Sequence, residues 1–244
     1  MRSRWSPPRP DAVLRLAVRT LSELCLTAGT LVVLFVAYVL LWTGVTADRA
    51  MEGERARLRD RWAAAAPAPA PGPASPGPPA PSAPSAPPQP YPAGRAFAEM
   101  YVPRFGADWS KPVLEGTDTD LLKKGLGHYT GTARPGGEGN FAVAGHRRTY
   151  GDPFKDLDEL RPGDTVIVRD AVNRYTYTVR AEPLRTLPTE TGVVEPVPRR
   201  SPFATPGRYL TLTTCDPEWG HSHRLIVWAE LTGTRPADPG GLPG

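Results

Sequence analysis

The chain has 244 residues, 31 of them proline, and a formal net charge of +4. That excess belongs to residues 1–62, which carry +4, whereas residues 97–231 carry −1. A folded module that binds nucleic acid presents a basic face, and this balance excludes one.

In chain order, residues 1–23 form a short arginine-bearing tail, followed by the uncharged run Leu24 to Val45. About 20 apolar residues suffice to span a bilayer as a helix, and Trp42 suits an interfacial anchor. The run exceeds a signal-peptide core and lacks an A-x-A site directly after it, so it reads as an uncleaved anchor. Five arginines precede the span and five follow it, so the positive-inside count is a tie. A short tail is readily left in the cytoplasm, which gives a cytoplasmic N-terminus and an extracellular C-terminal part.

Residues 46–62 are charged and read as a juxtamembrane segment able to form a short helix. The stretch 63–96 is a Pro/Ala-rich linker; Ala63 to Pro92 alone holds 13 prolines. Such a segment favours extended polyproline II and builds no core. Its expected use is as a stalk. About 135 residues, Phe97 to Leu231, remain for one domain with a real interior, and residues 232–244 read as a flexible C-terminal tail.

Within the domain, Phe97–Val102 and Val113–Leu114 read as short strands. Thr117 with DTDLLKK and Gly125 predicts a capped helix, and Asn140–Gly145 a buried strand. Asp152–Leu160 reads as a helical turn stopped by Arg161-Pro162-Gly163-Asp164. Thr165–Arg169 and Arg174–Arg180 alternate with period two, as paired strands of a hairpin do. Arg208–Thr214 and Leu225–Leu231 add two more. Many short strands with one or two small helices predict a mainly β fold, a closed barrel of about eight strands.

Cys25 lies in the apolar run and Cys215 in the domain, too far apart in kind to pair, which leaves Cys215 an unpaired thiol. It ends the strand YLTLTTC and precedes Asp216-Pro217, a turn signal. His146, in Ala144-Gly145-His146-Arg147-Arg148, ends another strand. An imidazole beside a thiol takes up its proton and favours the thiolate. Arg224 opens the strand LIVWAEL, and its permanently charged guanidinium suits an oxyanion. A second arrangement of the same region, Cys215, Asp216, His221 and His223 as a zinc cluster, has acceptable donors and spacing. Leu187 to Gly192 is one residue too long for an LPxTG signal and reads as chance.

Together these pieces resemble the sortase family. GHYTGTARPGGEGNFAVAGHRRTYGDPF, Gly127 to Phe154, resembles the family segment that ends in its histidine; TLTTCDP, Thr211 to Pro217, resembles its TLxTC signature; RLIV, Arg224 to Val227, resembles its arginine strand. The stalk, the HYxGT segment and the TLTTC-x-P wording look most like class E sortases of high-GC Gram-positive bacteria.

The resemblance implies a sortase-like barrel over 97–231 and a cysteine transpeptidase. Cys215 would be the nucleophile, His146 the acid and base, and Arg224 the oxyanion and substrate holder. Thr214 is implied as a substrate-contacting or positioning residue, and Tyr129 as a contributor to motif selectivity. The substrates would be secreted proteins bearing an LPxTG-like or LAxTG-like motif, with a peptidoglycan precursor amine as acceptor. No cofactor is implied, and no required metal, since the loop Arg134–Asn140 offers only Glu138. His128 reads as a strand residue hydrogen-bonded in place. Two other functions compete: an L,D-transpeptidase, whose SxGC context Thr213-Thr214-Cys215 does not supply, and a non-catalytic surface binding module on a stalk.

Overall fold

A computed structural model describes residues 10–65 and 90–237. The bulk of the expected stalk, residues 66–89, lies outside the described residues, as do the ends 1–9 and 238–244. The chain forms two compact units, Met1–Thr43 and Gly44–Gly244.

The helix α1 runs from Pro10 to Ala65. In its first part, Leu14–Tyr38 is 25 residues long with a mean hydropathy of 1.9 and none of it buried in protein. It is long and apolar enough to cross a membrane. The window starts at Leu14 rather than Leu24, and an ion pair between Arg19 and Glu23, 2.9 Å apart, lies on its early turns.

The second unit holds the last turns of α1 and a β-barrel. Its strands are β1 (Ala96–Tyr101), β2 (Ser110–Glu115), β3 (Leu126–His128), β4 (Gly139–Ala144), β5 (Thr165–Arg169), β6 (Asn173–Val179), β7 (Leu184–Thr186), β8 (Arg208–Asp216) and β9 (His223–Pro236), with the single-turn helix α2 (Thr119–Leu122) between β2 and β3. Eight strands in the order β6-β5-β1-β2-β3-β4-β8-β9 close through a β6–β9 pairing, and β7 adds to β9. The barrel expected from the strand count is the one observed. Closure removes free sheet edges.

The hairpin β5–β6 pairs in register from Thr165 opposite Thr178 to Arg169 opposite Arg174. Its inward residues Val166, Val168, Tyr177 and Val179 join Met100, Phe141, Leu210, Leu212 and Val227 in one buried core. Two sequence boundaries move. The strand expected to end at Leu231 continues to Pro236, because residues 233–236 pair with β6; they are sheet, not tail. The helical turn expected over Asp152–Leu160 narrows to a 3₁₀ turn at Leu157–Glu159.

The juxtamembrane residues are helical and pack on the barrel. Ala47, Met51 and Leu58 are buried, and Leu58 and Trp62 join Ala96 and Leu114 in a small cluster. Positions 47, 51, 55, 58 and 62 fall on one helical face. From that face Arg55 and Arg59 reach the buried Glu99 of β1, at 3.3 and 3.1 Å. Glu99 also accepts from the Tyr101 hydroxyl, whose pKa rises to about 12, chiefly through burial. A buried carboxylate without partners would be costly; two guanidiniums and a phenol compensate it.

Candidate active site

Three adjacent strands bring the site together. β4 and β8 run parallel, with Ala144 opposite Thr213. The register continues past the end of β4: the Gly145 N–H donates to the Thr213 carbonyl at 3.1 Å, and the Thr214 hydroxyl donates to the Gly145 carbonyl at 2.8 Å. His146, the next residue, therefore emerges alongside Cys215. β8 and β9 are antiparallel, with Cys215 directly opposite Arg224. Residues directly opposite share a face, with Cβ atoms about 5 Å apart. The sequence trio thus borders one end of the barrel on neighbouring strands.

Gly145 is required by closeness. A Cβ there would lie 2.6 Å from Phe154 Cδ2 and 2.8 Å from Leu126 Cδ2. Only glycine lets the backbone press into the core just before His146 turns outward.

Cys215 is partly exposed and free, as a thiol that meets substrate must be. His146 is half-buried, and its Nε2 is enclosed without a hydrogen-bond partner among the described residues. Burial lowers its pKa below the usual 6.5; the Lys123 ammonium pushes the same way and Asp152 opposes. Neutral imidazole, the proton-accepting form, is favoured. The His146 ring stands 5.1 Å from that of Tyr150.

Arg224 donates through Nη1 to the carbonyls of His221 and His223, at 3.1 and 2.9 Å. These bonds fix its head against the loop after Cys215. The same loop carries the residues of the alternative zinc cluster. There His223 Nδ1 faces Arg185 Nη2 at 3.1 Å and the Ser222 hydroxyl at 3.0 Å. Among the described residues no three of His, Cys, Asp and Glu group as metal ligands.

Of the remaining sequence candidates, Thr214 is buried with its hydroxyl spent on the Gly145 carbonyl. By strand alternation it faces away from the side that Cys215 occupies. Thr213 is on that side, and its hydroxyl shares a 2.9 Å hydrogen bond with the Tyr129 phenol. His128 is buried between Glu115, 2.6 Å from Nδ1, and Thr132 and Ala133, 2.9 and 3.1 Å from Nε2. It is held in place, as read.

Sequence reasoning missed a set of charges that ties the two site loops together. Arg147 pairs with Asp216 and, at 3.1 Å, with Asp158; Arg185 reaches Asp216 from β7 at 2.7 Å. Arg148 pairs with Glu218 and lies 5.1 Å over the Trp219 ring. The signal was present: two arginines directly follow the histidine, and two acids follow the cysteine within three residues.

The family comparison fits this arrangement. The sortase domain family matches residues 100–232. The chain belongs to the sortase family. Among curated relatives, sortase SrtE1 of Streptomyces coelicolor is 36% identical over 239 residues; the match covers 95% of this chain and 62% of that protein. Sortase SrtE2 of the same organism is 32% identical, covering 96% of this chain and 90% of that one. Among solved structures, sortase E of Streptomyces avermitilis is 60% identical with a TM-score of 0.57, over 60% of this chain and 93% of that one. Sortase E1 of Streptomyces coelicolor, solved with a tripeptide in its active site, is 38% identical with a TM-score of 0.55, over 59% of this chain and 91% of that one. These relatives are class E sortases, so the class read from TLTTC-x-P and HYxGT is supported along with the family.

Proposed function

We propose that this sortase is a membrane-anchored cysteine transpeptidase that cuts an LPxTG-like or LAxTG-like sorting motif between threonine and glycine and passes the threonine carbonyl to a peptidoglycan amine. The observation that carries this reading is the strand register that sets Cys215 opposite Arg224 and beside His146. The tripeptide in the active site of the S. coelicolor relative agrees with a peptide substrate.

In the proposed reaction, neutral His146 accepts the Cys215 proton and Sγ bonds to the threonine carbonyl carbon. The resulting oxyanion faces the Arg224 guanidinium, whose charge stabilises it. Collapse breaks the Thr–Gly C–N bond. The imidazolium returns its proton to the departing glycine amine and a thioester remains. The acceptor amine then attacks that thioester, His146 takes its proton, the C–S bond breaks, and the imidazolium passes the proton to the sulfur, which restores the thiol and the neutral imidazole.

Thr214 serves here as a positioning residue, since its hydroxyl links β8 to the turn that bears His146. Tyr129, bonded to Thr213 two residues before the nucleophile, is the candidate for motif selectivity. The apolar part of α1 is the anchor, with a cytoplasmic N-terminus and the barrel outside, where secreted substrates and wall precursors are available.

The test is incubation of the full-length chain in detergent with LPxTG and LAxTG peptides and a primary amine. Cleavage between threonine and glycine with formation of the amide, abolished in Cys215→Ala, is the expected result. Cleavage elsewhere, or turnover that survives Cys215→Ala, would refute it.

A further inference from the structure

The loop after His146 adopts a conformation that its own sequence disfavours. Thr149, Tyr150, Gly151 and Asp152 have φ of +76°, +51°, +78° and +46°. Left-handed backbone is rare for non-glycine residues and worst for a β-branched one such as Thr149. Four in succession persist only where surrounding structure holds them. The loop matters because it sets the Tyr150 ring against the His146 imidazole.

What holds it lies on the juxtamembrane turns of α1. Met51 is 3% exposed, and its methyl group sits over Gly151. A Cβ at Gly151 would collide with that methyl and would come within 2.8 Å of Asp48 Oδ1. Asp48 also pairs at 3.8 Å with Lys111 of β2. On the loop's other side Arg148 reaches Asp152 at 3.5 Å and pairs with Glu218 beyond the cysteine. Contacts therefore run from Asp48 and Met51 through the 149–152 loop to His146 and, by way of Arg148, to Glu218, three residues beyond Cys215.

We infer that Met51 and Asp48 are positioning residues for His146: the juxtamembrane helix clamps the left-handed loop and so fixes the histidine's neighbour Tyr150. The inference rests on His146 acting in acyl transfer. The same helix packs on the strands through Glu99, Leu58 and Leu114.

The experiment uses the full-length chain in detergent, with Met51→Ala, Met51→Leu and Asp48→Asn. Steady-state turnover of the sorting peptide and amide hydrogen exchange are measured together. Small misplacement of a reacting group costs rate steeply, so Met51→Ala is expected to lower kcat about tenfold with KM within about twofold. Its exchange should rise at residues 149–152 and stay unchanged in β8. Met51→Leu should restore both, and Asp48→Asn should fall between. Wild-type kcat in Met51→Ala, or a lower kcat without faster exchange in the loop, would overturn the inference. So would Met51→Leu being as impaired as Met51→Ala. If the wild type turned over no sorting peptide, the assigned reaction would fail, while the exchange arm would still report whether the clamp exists.

Discussion

Cys215 and Arg224 are direct cross-strand partners on β8 and β9, one residue from the end of that pairing. The antiparallel register by itself puts the two side chains on one face of the sheet as neighbours. The head of Arg224 is fixed by two backbone carbonyls, so its charge is placed before substrate arrives.

Arg224→Ala is therefore expected to slow acylation by about 10²–10³-fold, the usual cost of one oxyanion donor. Arg224→Lys should recover only part, because a point charge lacks the planar fork. Thermal unfolding should change little, since the residue is partly exposed. Acylation rates and melting curves recorded side by side test this, and an Arg224→Ala enzyme near wild-type rate would contradict it.

Gly145→Ala places a methyl group against Phe154 and Leu126 at distances no real Cβ tolerates. Overpacking of this kind costs about 1–3 kcal/mol. The displaced turn should also move His146, so activity should fall further than stability alone explains. Denaturant unfolding together with kcat/KM measures both effects.

The pH dependence follows from the burial of His146. Its pKa lies below 6.5, first through desolvation and then through the Lys123 charge. A lowered pKa keeps the imidazole neutral as pH falls, so the acid limb of acylation should lie below pH 6.5. Removing the Lys123 charge removes a repulsion, eases protonation and shifts that limb upward. A pH–rate profile of Lys123→Gln whose acid limb moved downward or not at all would contradict this assignment.

Asp216 compensates the buried Arg147 and also binds Arg185. Deleting it takes from a nearly enclosed guanidinium one of its two carboxylates and leaves only the exposed Asp158, a loss of about 1–3 kcal/mol. Arg147→Met combined with Asp216→Asn should cost less than the sum of the single changes, because the buried charge that needs Asp216 is gone. A double-mutant cycle by chemical denaturation measures that coupling, and strict additivity would count against it.

Tyr129→Phe removes one hydrogen bond, to Thr213, with a net effect on stability of about 1 kcal/mol or less. Its expected signature is altered preference between LPxTG and LAxTG peptides in a competition assay. An unchanged ratio would remove Tyr129 from motif selection.

Much of this was legible in the amino-acid order because the informative residues sit where strands end. The alternation of Thr165–Arg169 and Arg174–Arg180 reports a hairpin directly, since period two matches the pleat. Cys215, His146 and Arg224 each close or open a strongly apolar strand, so their convergence needed only the sheet order. β7 was not predicted as a strand, and β3 only through His128, because three residues, Leu184–Thr186 and Leu126–His128, are too short to show a period. Thr214 drew attention by adjacency to the thiol, yet alternation gives the outward role to Thr213. The juxtamembrane turns read only as a charged segment able to form a short helix, because charged residues dominate them. Their apolar positions, Ala47, Met51, Leu58 and Trp62, form a narrow stripe, and the partner of Arg55 and Arg59 is a glutamate some 40 residues away. Local sequence carries no trace of that pairing.

The central claim is that Cys215 forms the bond to substrate. Mass spectrometry of the full-length chain, quenched in acid after mixing with a sorting-motif peptide, tests it most directly. The account predicts a mass increase equal to the peptide acid up to its threonine less one water, mapped to the fragment containing Cys215 and released by hydroxylamine. An adduct that persists in Cys215→Ala, or peptide cleavage with no thioester at Cys215, would contradict it.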